Sequence, residues 1–162
     1  MIAMAIACSP KVLIADEPTT ALDVTIQAQI MELLRDLQDE LGLSIILISH
    51  DLGLITEFAH RAAVMYAGRI VESAPVDDLF NHAMHPYTIG LIASAPKIDD
   101  DVDRLPSISG SVPDLATVIP GCRFSPRCTF VQESCRVSEP ELLACASGHL
   151  ARCPPRVGAA AR

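Results

Sequence analysis

Two groups of residues in this 162-residue chain have the types and spacing to do chemistry. The first is a carboxylate pair, Asp16-Glu17, delivered by the apolar run Val12-Leu13-Ile14-Ala15. Adjacent side chains on extended backbone point in different directions. One carboxylate can therefore face a metal ion while its neighbour faces a different atom. The second group is four cysteines, Cys122, Cys128, Cys135 and Cys153, separated by 5, 6 and 17 residues. Structural zinc sites usually bring a short Cys-x-x-Cys type knuckle, which this set lacks. Four widely spaced thiolates in a Pro-containing segment suit a larger core, an iron–sulfur cluster. Zinc, or thiols without any metal, stay open beside it. Taken alone, an Asp-Glu pair after a strand is most often a solvated loop, and His50 is an ordinary histidine at a strand end.

The elements that must position these groups are legible from periodicity and turn residues. Met1–Cys8 reads as the later turns of a helix, stopped by Ser9-Pro10, because proline lacks an N–H and disfavours helix in the residue before it. Cys8, on the apolar face of that helix end, is expected to be a small core residue. Val12–Ala15 reads as a buried strand. From Val24 to Leu41, Ile26, Ile30, Leu33, Leu34, Leu37 and Leu41 recur at helical spacing, and Gly42 closes the helix. Ser44–Ser49 reads as a second buried strand, and Asp51 can cap a short helix over Leu52–Ala59. Arg61–Tyr66 and Arg69–Glu72 suggest a hairpin around Ala67-Gly68, followed by helices over Val76–His82 and Tyr87–Ala95. Alternating strands and helices predict an α/β fold with a mainly parallel sheet. From Pro96 onward Pro, Ser, Asp and Cys dominate, and regular periodicity fades. Cys145 reads as a bystander, and neither His60 nor His149 acquires a role.

Composition excludes several function classes. The formal net charge is −8, with 20 acidic against 12 basic residues. No run of Lys or Arg is present, so nucleic-acid binding is disfavoured. Apolar residues make up 50% of the chain, aromatics only 4%, and Trp is absent. This predicts an aliphatic core, as in parallel strands covered by helices. The apolar stretches Met1–Cys8 and Ser44–Ser49 fall well short of the roughly 20 residues that span a bilayer. No secretion-type leader is evident; the chain reads as cytosolic, and disulfides are not expected among its cysteines.

In context the carboxylate pair becomes specific. Val12–Ala15 with Asp16-Glu17-Pro18-Thr19, then Thr20-Ala21-Leu22-Asp23, then Ile46-Leu47-Ile48-Ser49-His50-Asp51, resemble in order the Walker B, D-loop and switch-histidine segments of ABC ATPases. The resemblance implies an α/β fold that is the C-terminal half of a P-loop nucleotide hydrolase core. It also implies roles: Asp16 holding Mg²⁺ through its water shell, Glu17 polarising the attacking water, His50 contacting the γ-phosphate of ATP, and Asp23 in the loop that crosses the dimer interface. These roles suit phosphoryl transfer, in which positioning and electrostatics do most of the work. The chain contains no G-x-x-x-x-G-K-[ST] loop. The family's Leu-Ser-Gly-Gly signature is expected just before Met1, with Met1 internal to a longer parent. The parent is expected to hydrolyse ATP, and the chain alone is expected to be inactive.

Tyr66-Ala67-Gly68-Arg69-Ile70-Val71-Glu72 followed by Asn81-His82-Ala83-Met84-His85-Pro86-Tyr87-Thr88 resembles the HPYT-containing start of the C-terminal extension in oligopeptide and dipeptide importer ATPases. Leu105–Gly110 and Pro120-Gly121-Cys122 continue it, leaving out the acidic patch Asp99–Asp103 and the Ala-rich tail. In the bare sequence, Pro86 reads as the helix start and Thr88 as a minor cap. The resemblance implies a partial ATPase domain over 1–80 and an extension over 81–162. Several importer ATPases resemble Cys122-Arg123-Phe124-Ser125-Pro126-Arg127-Cys128 and carry a 4Fe–4S cluster there. This implies Cys122, Cys128, Cys135 and Cys153 as ligands, with Arg123, Arg127 and Arg136 offsetting the charge. Implied partners are membrane-embedded permease subunits and a second ATPase subunit in a head-to-tail dimer, at the cytoplasmic face of the membrane, without direct contact with the solute. The solute is an oligopeptide or dipeptide, with nickel as the alternative. Rival readings are a stand-alone iron–sulfur regulatory module and a fragment without function.

Overall fold

Residues 2–95, 106–114 and 119–156 are described by a computed structural model. Asp99–Asp103, Leu105 and the Ala-rich tail, all singled out above, lie outside them. The chain divides into two compact units, Met1–Ala59 and His60–Arg162.

In the first unit, α1 (Ile2–Ile6), β1 (Val12–Asp16), α2 (Val24–Leu41), β2 (Ser44–Ile48) and α3 (Leu52–Phe58) follow in order. The two strands pair in parallel, Val12 opposite Ser44 through Asp16 opposite Ile48. Asp23 Oδ1 accepts the Ile26 N–H at 2.9 Å and starts α2; Gly42, at φ +63°, ends it. The left-handed conformation at that end is one that glycine adopts without a Cβ penalty. Asp51 Oδ1 caps α3 by accepting from Gly53 and Leu54. Leu13, Met31, Leu34, Leu43 and Leu54 form the core, with Ile30, Ile45, Leu47 and Phe58 packed on it. This is the aliphatic core the composition predicts.

The strands are not buried as expected. Helices cover only the face carrying Leu13, Ala15, Ile45 and Leu47. Because strand side chains alternate, Val12, Ile14, Ile46 and Ile48 fall on the other face, and they are 47–64% exposed. Cys8 is exposed as well, contrary to its expected core position.

The second unit begins with β3 (Arg61–Tyr66) and β4 (Arg69–Pro75), joined by Ala67-Gly68. Both loop residues have positive φ, +46° and +78°, the pattern of the two-residue turn whose twist matches a hairpin. Two helices follow, α4 (Val76–Asn81) and α5 (Pro86–Ala93). His85, rather than Thr88, caps α5: its Nδ1 accepts the Tyr87 N–H at 3.1 Å. Thr88 is buried.

The later segment is more regular than its composition suggests. After a turn of 3-10 helix at Ser125–Arg127 and the short α6 (Ser134–Val137), β5 (Leu143–Ala146) and β6 (His149–Ala151) complete a sheet in the order β3-β4-β6-β5. All its pairings are antiparallel, with Glu72 opposite Ala151 and Ser73 opposite Leu150. The expectation of a mainly parallel sheet thus holds for β1 and β2 but fails here. The core also departs from the aliphatic expectation. Tyr66 and Phe124 are buried together, edge to face at 5.2 Å, and Tyr87 lies 4.6 Å from Tyr66 and 5.6 Å from Phe124. Three of the chain's six aromatic residues are spent on this one cluster, where ring pairs add to what burial supplies.

Candidate functional site

The parallel register of β1 and β2 brings Asp16 and Ile48 to the same sheet edge, so the residues after each strand share it. Ligands of α/β proteins bind outside the carboxyl ends of such strands. Glu17 continues the ladder, donating its N–H to Ile48 O at 2.9 Å, while its own carbonyl accepts from the Thr20 N–H. Its backbone is left-handed, φ +45°. A non-glycine residue is rarely held there, and strain of this kind concentrates at functional sites. Here it turns the chain sharply after β1. One oxygen of the Glu17 carboxylate accepts from the Thr20 hydroxyl at 2.8 Å, and the other lies 3.0 Å from His50 Nδ1. The Thr20 hydrogen bond, and then that of His50, hold the Glu17 carboxyl below the usual range. The His50 side chain is 80% exposed and that of Glu17 45%, so both are open to a ligand.

Of the four sequence-predicted residues of this site, Glu17 and His50 come together. Asp16 ends β1 on the exposed face of the strand pair. Asp23 uses its carboxylate as the α2 cap.

In the second unit a buried carboxylate that the sequence reading missed organises three segments. Glu72 in β4 is fully buried. Its Oε1 accepts the Met84 N–H at 2.6 Å and lies 2.7 Å from His149 Nε2; its Oε2 accepts the His85 N–H at 2.9 Å. β4, the entry to α5 and β6 thereby meet on one side chain. A glutamate inside Val71-Glu72-Ser73-Ala74 and a histidine opening the last strand were the available clues. A buried carboxyl group needs hydrogen-bond partners, and here they are 12 to 77 residues away in sequence.

Next to this network lies a cavity lined by His85, Arg152 and the four cysteines Cys122, Cys128, Cys135 and Cys153. Gly121 is why two of them meet. A Cβ there would stand 2.2 Å from Cys135 O, and the close approach lets the Cys122 N–H donate to that carbonyl at 2.7 Å. Cys128 follows the 3-10 turn, and its Sγ accepts the Phe130 N–H. Burial, followed by smaller influences that include the neighbouring thiols, pushes Cys122 and Cys128 up, and Cys153 up to about 11. Burial likewise holds His85 down at about 4, Glu72 opposing and Arg152 reinforcing the shift. Cys145 stays apart, its Sγ donating to His149 O.

Among the described residues no group of three or more His, Cys, Asp or Glu side chains is gathered closely enough to hold a metal ion. The four thiols surround a space without meeting at one point. The arginines expected beside them are otherwise engaged: Arg123 donates to Ala67 O, Arg127 to Ile108 O and Ser109 O, and Arg136 is exposed. Arg152 lines the cavity instead, and Arg156 favours the charged form of Cys128.

Residues 71–135 match the family model described as the oligopeptide/dipeptide transporter C-terminal region. A peptide import ATP-binding protein of Brucella abortus is 62% identical over 157 residues, covering 97% of this chain and 47% of the relative. Both matches support reading this chain as the C-terminal part of an oligopeptide ABC ATPase. The oligopeptide transport ATP-binding protein AppD of Bacillus subtilis is 55% identical over 153 residues, 94% of this chain and 47% of its own length. The chain thus spans about half the length of these curated relatives. Among solved structures, CbiO1 of Clostridium perfringens, part of an ABC transporter complex, matches 50% of this chain and 32% of its own, with a TM-score of 0.47 and 37% identity. No described helix is long and apolar enough to cross a membrane.

Proposed function

We propose that this chain carries the hydrolysis-side residues of an ATP-binding subunit that drives peptide import. The observation that carries the reading is the Glu17–His50 contact at the carboxyl edge of β1 and β2. Glu17, turned by its left-handed backbone, is the base that orients the attacking water. His50 is released from that contact to the γ-phosphate when ATP binds, and supplies a donor where charge develops. Asp16 would hold the Mg²⁺ that accompanies ATP. Asp23 fixes the start of α2 and thereby the loop that faces a second ATPase subunit. Residues 1–80 form part of the ATPase domain and 81–162 the extension. The partners are permease subunits at the cytoplasmic face of a membrane, and the names of the relatives favour peptide over nickel as solute. In the full-length subunit with its permease, Glu17→Gln lowers phosphate release by orders of magnitude while ATP stays bound, and His50→Ala also cripples turnover. Near-normal hydrolysis in both variants overturns the assignment.

The same reading gives the cysteine cavity a 4Fe–4S cluster. Four thiols around one space fit the donor set, and thiols that do not meet at a point suit a core larger than one ion, whose Zn–S bonds would be only about 2.3 Å long. When bound, the cluster would cross-link the segments that carry the four cysteines. Because burial favours the protonated form of Cys122, Cys128 and Cys153, loading would release protons and be favoured as pH rises. Anaerobically prepared protein contains iron and sulfide; Cys128→Ser removes the chromophore and Cys145→Ser keeps it. Stoichiometric zinc without sulfide rejects the cluster.

A further inference from the structure

The Glu17 carboxylate is held at both oxygens, by partners of unlike kind. The Thr20 hydroxyl donates to Oε2 at 2.8 Å, while His50 Nδ1 lies 3.0 Å from Oε1. Thr20 belongs to the same tight turn as Glu17, because its own N–H donates to the Glu17 carbonyl at 3.1 Å. The turn is anchored in turn on the sheet, where the Glu17 N–H donates to Ile48 O at 2.9 Å. The Thr20–Glu17 bond therefore needs nothing beyond this turn to persist. His50 is different. It reaches Glu17 from beyond the end of β2, 33 residues further along the chain, and its side chain is exposed. The histidine can leave without disturbing the turn.

We propose that Thr20 is a positioning residue for hydrolysis: its hydroxyl fixes Oε2 of Glu17, so that Oε1, vacated by His50, is the oxygen that accepts from the attacking water. This rests on the roles given to Glu17 and His50 above. The end of a glutamate side chain turns broadly about its last bond, and both carboxylate oxygens are acceptors. Once His50 has turned to the γ-phosphate, Thr20 is the remaining partner of that carboxylate among the described residues. One oxygen is then anchored and the other is left aimed. A base must lie within hydrogen-bond reach of the proton it takes, and small misplacements cost rate.

Two substitutions separate the hydroxyl from the rest of the side chain. Thr20→Val keeps the branched shape and removes the donor, whereas Thr20→Ser keeps the donor and loses the methyl group. Both are made in the full-length subunit with its permease, and phosphate release is followed with radiolabelled ATP so that residual rates are read. Thr20→Val is expected to lower kcat about 10- to 100-fold, the worth of one hydrogen bond to a charged group, with KM for ATP little changed. Thr20→Ser is expected to restore most of the rate. In a Glu17→Gln background Thr20→Val is expected to add no further loss, because its effect runs through the carboxylate already removed. Near-parental kcat in Thr20→Val, beside a crippled Glu17→Gln, overturns the proposal and leaves Glu17 as the base. Equal losses in the Val and Ser variants, or a loss carried by KM alone, overturn it as well. So does a further loss on top of Glu17→Gln, which would place the Thr20 hydroxyl against another group, such as one of the second subunit. Near-normal hydrolysis in Glu17→Gln overturns the base assignment and this proposal together.

Discussion

The two units place their reactive groups in opposite surroundings. In the first, an aliphatic core fills one side of a two-stranded sheet, and Glu17 and His50 stand at its edge in the open. The bonds that shape that site are mostly short-range, such as Thr20 to Glu17 and the two aspartate caps. In the second, Glu72, His85 and His149 are buried, and their partners come from distant segments. Exposed chemistry can be held by local turns on a rigid strand pair, whereas buried polar chemistry must be satisfied from all sides. The second unit therefore depends on a few side chains in a way the first does not.

The largest expected stability effect tests that dependence. Glu72→Ala strands the Met84 and His85 N–H groups and the His149 ring, and costs about 3–5 kcal/mol; Leu34→Ala, a cavity in the first core, costs about 3 kcal/mol. Amide exchange should show the Glu72 loss across β4, β6 and the start of α5, and the Leu34 loss in α2 and β1. Equal deprotection of both units by either variant would break the contrast.

Acid sharpens it. His85 is held at about 4 against an ordinary value of 6.5, chiefly by burial. A depressed histidine contributes stability that is fully present above 6.5 and is lost as pH falls toward 4, because the unfolded chain takes up the proton first. Urea midpoints should show a loss of up to about 3 kcal/mol across that window, confined to the second unit and flattened in His85→Asn. A profile unchanged by the substitution would remove His85 as the cause.

The smallest effect is a control in the first unit. Asp51→Ala removes the acceptor for Gly53 and Leu54 and costs about 1 kcal/mol. Urea unfolding should report it, with the amides of β6 unaffected. A loss as large as that of Glu72→Ala would mean that local caps matter as much as buried networks.

What the sequence determined by itself was the set of short-range features. The α2 span and its Gly42 end, the Asp51 cap and the Ala67-Gly68 hairpin all follow from residues within a turn or two of one another. The apolar runs before Asp16-Glu17 and His50 put both at strand ends, while the roles expected of them came only from the ordered resemblance to ABC ATPases. Only the tertiary structure decided the rest. β5 and β6 are four and three residues long, too short for a period to register; β6 forms on the edge of β4, and β5 on that of β6. Burial of Glu72 depends on His149, 77 residues away, and no local pattern encodes that distance. The open face of β1 and β2 was equally hidden, since an apolar run states what a strand can bury and not which of its faces is covered.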